Sequence, residues 1–174
     1  MEYSVSLVLE TERLLIRPLS YNQLQEYTEL NNCLEQSLGL NSFTRTLPNE
    51  LKEALEQVIL PQVAASDNFL YATLWTIIDK ERKLMVGDLC FKGAPNEQGE
   101  VEIGYGTYDS FQGRGFMTEA IGAIAQWALK QPEVRAIIAE TEINNISSHR
   151  TLSKNNFTVY KKVENMIWWR LDNN

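Results

Sequence analysis

The stretch that most constrains the fold of this chain runs from residue 101 to residue 130, VEIGYGTYDSFQGRGFMTEAIGAIAQWALK. Its first part alternates Val101, Ile103 and Tyr105 with smaller or polar neighbours, which is the period of a β-strand. Its last part carries apolar residues three and four positions apart, which is the period of one helix face. The residues of that face are Met117, Ala120, Ile121, Ile124 and Trp127. The pattern therefore predicts a strand, a short loop and an amphipathic helix in direct succession.

Two glycines in the loop, Gly113 and Gly115, indicate a binding site for an anion. A glycine has no Cβ atom, so nothing keeps an anion away from the main chain there. The helix that follows directs its unpaired N–H groups and the positive end of its dipole toward the same space. We therefore predict that the loop binds a phosphate or a pyrophosphate.

The loop resembles motif A of the GNAT superfamily of acyl-CoA-dependent N-acetyltransferases, whose pattern is Gln/Arg-x-x-Gly-x-Gly/Ala. The matching positions are Gln112, Gly113, Arg114, Gly115, Phe116 and Met117, the last of which departs from the family's glycine or alanine. The following Thr118-Glu119-Ala120 resembles the ribosomal-protein alanine N-acetyltransferase branch. The resemblance implies that residues 112 to 118 bind acetyl-CoA and that main-chain amides of the loop hold its pyrophosphate.

Gly104 and Gly106 interrupt a strand that should lie in the core, which indicates a bulge or a close approach of two backbones. In the GNAT fold this strand splays away from its parallel partner, and its main chain pairs with the pantetheine arm of the cofactor. The resemblance implies that Ile103, Gly104 and Tyr105 lie against acetyl-CoA. A bulge with a purely structural role is the alternative.

A second segment, residues 145 to 157, resembles the family pattern Asn-x-x-Ser-x-Arg…Lys-x-Gly-Phe. Asn145 suits the N-cap of a helix, and Asn156 replaces the usual glycine at a left-handed helix end. The resemblance implies that Asn145 contacts the cofactor arm and that Ser148 reaches the sulfur. The Ser148 hydroxyl would then act as general acid toward the departing thiolate.

Direct acyl transfer needs a free amine, and Glu102 is our first candidate for the general base, acting directly or through water. An α-amine, with a pKa of about 7.7–8.0, needs less help than a lysine-type amine at about 10.4. In the alanine N-acetyltransferase branch a glutamate also precedes Ile-Gly-Tyr. Glu140 and Glu142 are alternative bases, and an exposed strand residue is the alternative role for Glu102. We expect His149, the sole histidine, to be solvated and non-catalytic.

Length, net charge and cysteine content exclude several classes of protein for this chain. A chain of 174 residues predicts one domain, residues 1 to 174. The net charge of −7 argues against nucleic-acid binding and favours cationic partners, unless it serves solubility alone. Two cysteines without a CxxC pair predict a reduced, cytoplasmic protein without a metal site. No segment predicts a secretory signal or a membrane span.

The other elements follow from their periodicity. We predict a strand over 5–17, broken near Thr11-Glu12, and later strands over 70–79, 84–93, 100–108, 134–141, 157–163 and 166–172. Helices are expected from Ser20 to about residue 31, over 48–65 with a kink or an end at Pro61, and from about Asn145. The resemblance makes residues 20 to 66 the region of acceptor specificity. Tyr27, Phe43, Glu26 and Glu29 are candidates to line it.

Together these elements predict a mixed, α+β-like α/β fold of the GNAT type. We expect a mostly antiparallel, splayed sheet of about six to seven strands, flanked by about four helices. The implied activity is acetyl transfer from acetyl-CoA to a primary amine on a peptide N-terminus, a polyamine or a small molecule, by a monomer or a homodimer. A non-catalytic CoA-binding sensor is the alternative, suggested by Met117 and Asn156. A dinucleotide-binding enzyme is disfavoured because the loop lacks a third glycine.

Overall fold

The computed structural model describes residues 6–174, in which eight strands form one sheet. The strands are β1 (Leu9–Glu10), β2 (Leu14–Pro18), β3 (Leu74–Asp79), β4 (Leu84–Phe91), β5 (Glu100–Thr107), β6 (Ala136–Glu142), β7 (Thr158–Val163) and β8 (Met166–Asp172). Their order across the sheet is β1-β2-β3-β4-β5-β6-β8-β7. Only β5 and β6 pair in parallel among the described strands, so the predicted mostly antiparallel sheet is confirmed.

Six α-helical segments accompany the described strands. They are α1 (Tyr21–Glu29), α2 (Cys33–Ser37), α3 (Asn49–Ala54), α4 (Leu60–Ala65), α5 (Phe116–Leu129) and α6 (Ile146–Lys154). A π-helical turn, Leu55–Ile59, joins α3 to α4, so these two segments form one continuous helix. The described residues thus contain five separate helices, where about four were expected. In a regular α-helix, Pro61 would leave one hydrogen bond unmade and would clash with the carbonyl group four residues before it. The wider π turn before Pro61 accommodates both effects. The helix therefore continues beyond Pro61.

The sheet has one strand more than expected because the opening strand is divided in two. β1 and β2 form a tight antiparallel pair in which Leu9 lies opposite Ile16, with the predicted break at Thr11 between them. The predicted start of this strand at residue 5 lies outside the described residues. β3 begins at Leu74 rather than at residue 70, because residues 69–71 form a turn of 3₁₀ helix.

Helices cover the two faces of the sheet differently. On one face, α5 and α6 pack against Trp75, Ile103 and Ile137 in the larger core cluster. On the other face, α1 to α4 pack against Leu74 and Met85, and thus cover only the part near β2 to β4. Because side chains alternate along a strand, Glu102, Gly104 and Gly106 of β5 share this second face. The second face is where β5 and β6 are least covered.

β5 and β6 separate partway along their length, as the predicted splay requires. Their pairing runs from Glu100 to Ile103, the latter opposite Ala139, and goes no further. β5 then continues alongside β4 as far as Thr107, and β6 continues alongside β8. The two strands thus leave a gap beside Gly104 and Tyr105.

No bulge interrupts β5 at Gly104 or Gly106, so the structural alternative for these two glycines is not realised. The register between β4 and β5 is continuous, with Cys90 opposite Gly104 and Asp88 opposite Gly106. The close backbone approach occurs at Gly87 instead, where a Cβ atom would lie 2.6 Å from the Gly106 carbonyl oxygen. The glycines of β5 leave space above the strand rather than bending it.

Candidate active site

The glycine loop has the conformation that an anion site needs. Gly113 and Gly115 have φ of 74° and 76°, in the left-handed region that other residues rarely adopt. α5 begins at Phe116, immediately after Gly115. Within residues 6–174, the main-chain N–H groups of residues 113–118 have no hydrogen-bond acceptor. These donors, at the positive end of the α5 dipole, suit a pyrophosphate.

Arg13 holds this loop in place from the β1–β2 connection. Its Nη1 donates to the Arg114 carbonyl oxygen at 2.9 Å, and its Nε donates to Glu119 Oε2 at 2.7 Å. The guanidinium also lies 4.8 Å from the centre of the Phe116 ring. Glu119 is in turn held by the Thr11 hydroxyl at 2.5 Å. Nothing in the sequence relates Arg13 to a loop a hundred residues later, so this contact could not be predicted.

A cavity of about 620 Å³ lies beside the loop and is lined by Arg13, Arg114 and Phe116 together with residues 79–82 and Glu12. It contains four cationic side chains and three carboxylates. Its lining comes from the β2 to β4 side of the sheet, away from the gap between β5 and β6. This cavity is therefore distinct from the gap between β5 and β6.

Tyr105 of β5 and Ser148 of α6 lie near each other beside the gap. Asn145 caps α6 as expected, since its side chain accepts from the Ser148 N–H at 3.2 Å. The Tyr105 hydroxyl is buried without a hydrogen-bond partner among the described residues. Burial raises the pKa of this hydroxyl, and the nearby Ser148 side chain opposes the rise. The first turn of α6 therefore lies next to the part of β5 that has left β6.

The candidate general base, Glu102, stands just before the gap. Its side chain is 22% exposed, and Oε1 accepts from Lys92 Nζ at 2.8 Å. Glu102 lies opposite Ile138, so alternation places Glu140 and Glu142 on the same face of the sheet. The three candidate carboxylates therefore flank one opening.

Tyr160 lies on the edge strand β7, beyond β6 and β8, and is 47% exposed. Burial raises the pKa of its hydroxyl, and the charges of Glu100 and Glu102 raise it further while Arg170 opposes them.

His149 lies at the surface of α6 with its side chain partly exposed, and its ring has two local contacts. Its Nε2 lies 3.0 Å from the Glu142 carbonyl oxygen, and its ring lies 5.5 Å from that of Trp169. Among residues 6–174, no group of three or more His, Cys, Asp or Glu side chains is placed to hold a metal ion.

The two departures from the family pattern are accommodated by the fold. Met117 is 7% exposed and packs in the larger core cluster, so its side chain does not project from the loop. Asn156 has a φ of 64°, which is the left-handed conformation expected of the missing glycine. Neither substitution disturbs the elements that carry the site.

A buried polar network under α1 was missed by the sequence analysis. Asp88 of β4 is 6% exposed, and its Oδ2 accepts from the hydroxyls of Tyr27 at 2.6 Å and Tyr108 at 2.9 Å. Its Oδ1 is buried without a partner among the described residues. Arg45 lies 4.4 Å above the Tyr27 ring and is paired with Glu35 at 2.7 Å. The available signal was a single aspartate in the otherwise uncharged strand LMVGDLCF.

Burial sets the ionisation of this network. It raises the pKa of Asp88 to about 6, against the lowering effects of the two phenol hydrogen bonds and of Arg45. Burial, and then the charge of Asp88, raise the pKa of both Tyr27 and Tyr108. At neutral pH Asp88 is therefore a buried anion held by two neutral phenols.

The other residues suggested for the acceptor region have local partners. Phe43 packs on Phe111, with ring centres 5.1 Å apart. Glu26 accepts from the Ser37 hydroxyl at 2.9 Å, and Glu29 accepts from the Asn31 side chain at 3.0 Å. Of this set, only Tyr27 reaches the polar network at Asp88.

Comparison with known proteins defines the class. The acetyltransferase (GNAT) domain family matches residues 13–158. The chain therefore belongs to the GNAT family and is an acyltransferase. Uncharacterized N-acetyltransferase YjdG of Bacillus subtilis (strain 168) is 29% identical over 164 residues, which cover 92% of this chain and 96% of that protein.

Solved structures share the fold at low sequence identity. A ribosomal-protein-S5-alanine acetyltransferase from Vibrio fischeri aligns with a TM-score of 0.69 and 17% identity, covering 97% of each chain. RimL, a ribosomal L7/L12 alpha-N-protein acetyltransferase in complex with coenzyme A, aligns with a TM-score of 0.68 and 17% identity, covering 95% of this chain and 98% of that one. Within the described residues, no helix combines the length and apolar character needed to span a membrane.

Proposed function

We propose that this protein transfers an acetyl group from acetyl-CoA directly to a primary amine. The observation that carries the proposal is the path of β5, which loses its β6 partner after Ile103 and then leads into the glycine loop. An unpaired strand edge and a set of unpaired N–H groups thus follow one another along the chain. This arrangement suits an extended cofactor with a pyrophosphate near one end and a reactive group at the other.

The residues fit acetyl-CoA in the order that the resemblance implies. Main-chain N–H groups of residues 113–118 would bind the pyrophosphate, flanked by the side chains of Gln112 and Arg114. The main chain of residues 103–105 would hold the pantetheine arm beside Asn145. When bound, acetyl-CoA supplies the thioester carbonyl that the amine attacks.

Two side chains would move protons in this reaction. The Ser148 hydroxyl, beside Tyr105, would donate to the departing thiolate. Glu102 would accept a proton from the amine, directly or through water, on release from Lys92. Alignment of the amine with the thioester would contribute much of the rate.

The acceptor would approach from the face that carries Glu102 and Glu140. Carboxylates at this opening and the net charge of −7 favour a cationic acceptor. A peptide N-terminus, a polyamine and a small amine all satisfy this condition. Peptide α-amines would react with least help because their pKa is about 7.7–8.0.

Thiol release from acetyl-CoA in the presence of primary amines tests this function. We expect amine-dependent release by the wild type and none by Gly113→Glu, because a carboxylate would enter the anion site. Gly39→Glu is the matched control, since Gly39 has a similar φ of 69° and a Cβ atom placed on it would likewise have nothing within 4 Å. Acetyl-CoA binding without release for any amine would instead support the CoA-binding sensor.

A further inference from the structure

The side chain of Lys92 lies across one side of the gap, on the face of the sheet that carries Glu102. Lys92 directly follows β4, and its main-chain N–H donates to the Glu102 carbonyl oxygen at 2.8 Å, so the two residues are neighbours on adjacent strands. A Cβ atom placed on Gly104 would lie 3.4 Å from Lys92 Cε. The aliphatic part of Lys92 therefore packs on Gly104, at the point where β5 has lost its β6 partner.

The ammonium group of Lys92 is held at the candidate general base. Its Nζ donates to Glu102 Oε1 at 2.8 Å, while the Lys92 side chain is 50% exposed. An amine acceptor has to reach the same carboxylate in order to lose its proton. Lys92 thus brings a primary amine of this chain to the place that the proposed function gives to the acceptor.

The Lys92 side chain has room to move from Glu102 to the gap. Apart from the chain neighbours of Gly104, only Lys92 Cε and Cys90 Sγ among the described residues lie within 4 Å of a Cβ atom placed on that glycine. The lysine side chain is a flexible four-carbon stem that ends in a compact ammonium group. Rotation about its last bonds therefore carries Nζ toward the gap without a change in the backbone.

We propose that Lys92 is a site of self-acetylation, at which its Nζ takes the acetyl group of acetyl-CoA bound to the same chain. This inference rests on the proposed function, because it uses the same acyl donor and the same proton acceptor. The Glu102 carboxylate takes one proton from the ammonium group and later returns it to solvent. The free amine attacks the thioester carbonyl carbon, so that the C–N bond forms and the C–S bond breaks.

The second nitrogen proton completes the balance of the reaction. Ser148 donates its hydroxyl proton to the departing thiolate, and the proton lost by the nitrogen replaces it. The products are coenzyme A and an acetylated Lys92 without a charge. Without an added amine, the reaction therefore releases one coenzyme A per chain and then stops.

Lys80 provides an internal control for this modification. Its Nζ pairs with Glu10 Oε1 at 2.9 Å and its side chain is 30% exposed, so its ion pair resembles that of Lys92. Lys80 lies in the β3–β4 connection, beside the cavity that is distinct from the gap. Acetylation by free acetyl-CoA in solution should modify the two lysines to comparable extents, whereas transfer at the gap should modify Lys92.

The test incubates the protein with acetyl-CoA alone and follows acetyl incorporation by intact mass and by peptide mapping. We expect one acetyl group per chain, on Lys92, formed about 10²-fold faster than on Lys80 because the amine is already in place. The rate constant should not depend on protein concentration, because donor and acceptor belong to one molecule. Lys92→Arg, which keeps a cation beside Glu102, should show no incorporation above the background.

Gly113→Glu separates transfer at the gap from a generally reactive lysine, because it blocks the anion site and does not touch the Lys92–Glu102 pair. Incorporation at Lys92 should then fall to the level at Lys80. The inference would be overturned by equal incorporation at the two lysines of the wild type, by an unchanged rate in Gly113→Glu, or by a rate constant that rises with protein concentration. Thiol release with added amines would in each case still support the proposed function, whereas the absence of both self-acetylation and release with any amine would reject both.

Discussion

At the scale of single residues, burial controls the charge of Asp88. Its ordinary pKa of 3.8 is raised to about 6 in the folded protein. Folding therefore takes up a proton in the interval between these values. The stabilisation linked to that proton is fully present below about pH 4 and is lost as the pH rises through about 6.

We predict that Asp88→Asn removes this pH dependence. The free energy of unfolding of the wild type, minus that of the variant, should fall by up to about 3 kcal/mol between pH 4 and pH 7. Urea denaturation at a series of pH values measures this difference in free energy. Glu12→Gln is the control, because Glu12 is exposed. Parallel stability profiles for the wild type and Asp88→Asn would contradict the assigned ionisation.

We predict that the Ser148 hydroxyl takes part in the chemical step. Ser148→Ala should lower kcat about 10²-fold, because the departing thiolate loses its proton donor. Acetyl-CoA affinity should change little, since the Asn145 cap bonds to the main chain of residue 148 and not to its side chain. Ser147→Ala, an exposed neighbour on the same helix, is the control. An unchanged kcat would remove Ser148 from the mechanism.

At the scale of elements, the connection between β1 and β2 determines how the glycine loop is held. Arg13 bonds both to the Arg114 carbonyl and to Glu119 of α5, so it joins the first strands to the start of the helix. The loop itself is exposed and has few other restraints. Cofactor affinity should therefore depend on a residue that need not touch the cofactor.

Arg13→Ala should weaken acetyl-CoA binding about 10-fold while leaving the fold intact. Arg82→Ala is the matched control. The half-exposed Arg82 forms a similar ion pair, with Asp79 at 2.7 Å, but makes no bond to the loop. Isothermal titration of both variants makes the comparison. Equal affinities for the two would show that Arg13 does not position the loop.

Local patterns predicted the elements around the site well. The strand, loop and helix of residues 100–129 follow from two clear periodicities and from glycines that adopt positive φ. The division of the opening strand was visible at Thr11, but the pairing of its halves required the fold. The π turn before Pro61 was missed because a proline shows only that an α-helix is disturbed, and not how the backbone adapts.

Contacts between distant segments could not be predicted from the sequence. Asp88 meets Tyr27 and Tyr108 from three different elements, and no spacing in the chain relates them. The same holds for Arg13 and Glu119. The resemblance to a family supplied roles for residues 102–105, 112–118, Asn145 and Ser148, and these roles remain predictions.

At the scale of the molecule, the proposed reaction would have its two substrates on opposite faces of the sheet. The glycine loop and α6 lie toward the face packed by α5, while Glu102 and Asp88 lie on the opposite face. The gap between β5 and β6 joins the two sides. This division allows an acyl donor and an amine to meet without competing for one surface, which direct transfer requires.

The most direct test of the account is a calorimetric titration of the protein with acetyl-CoA, with NADH as the comparison ligand. We expect one site that binds acetyl-CoA with a Kd on the order of micromolar, and no binding of NADH. Absence of acetyl-CoA binding, or a preference for NADH, would contradict the assignment of the glycine loop and of the reaction that depends on it.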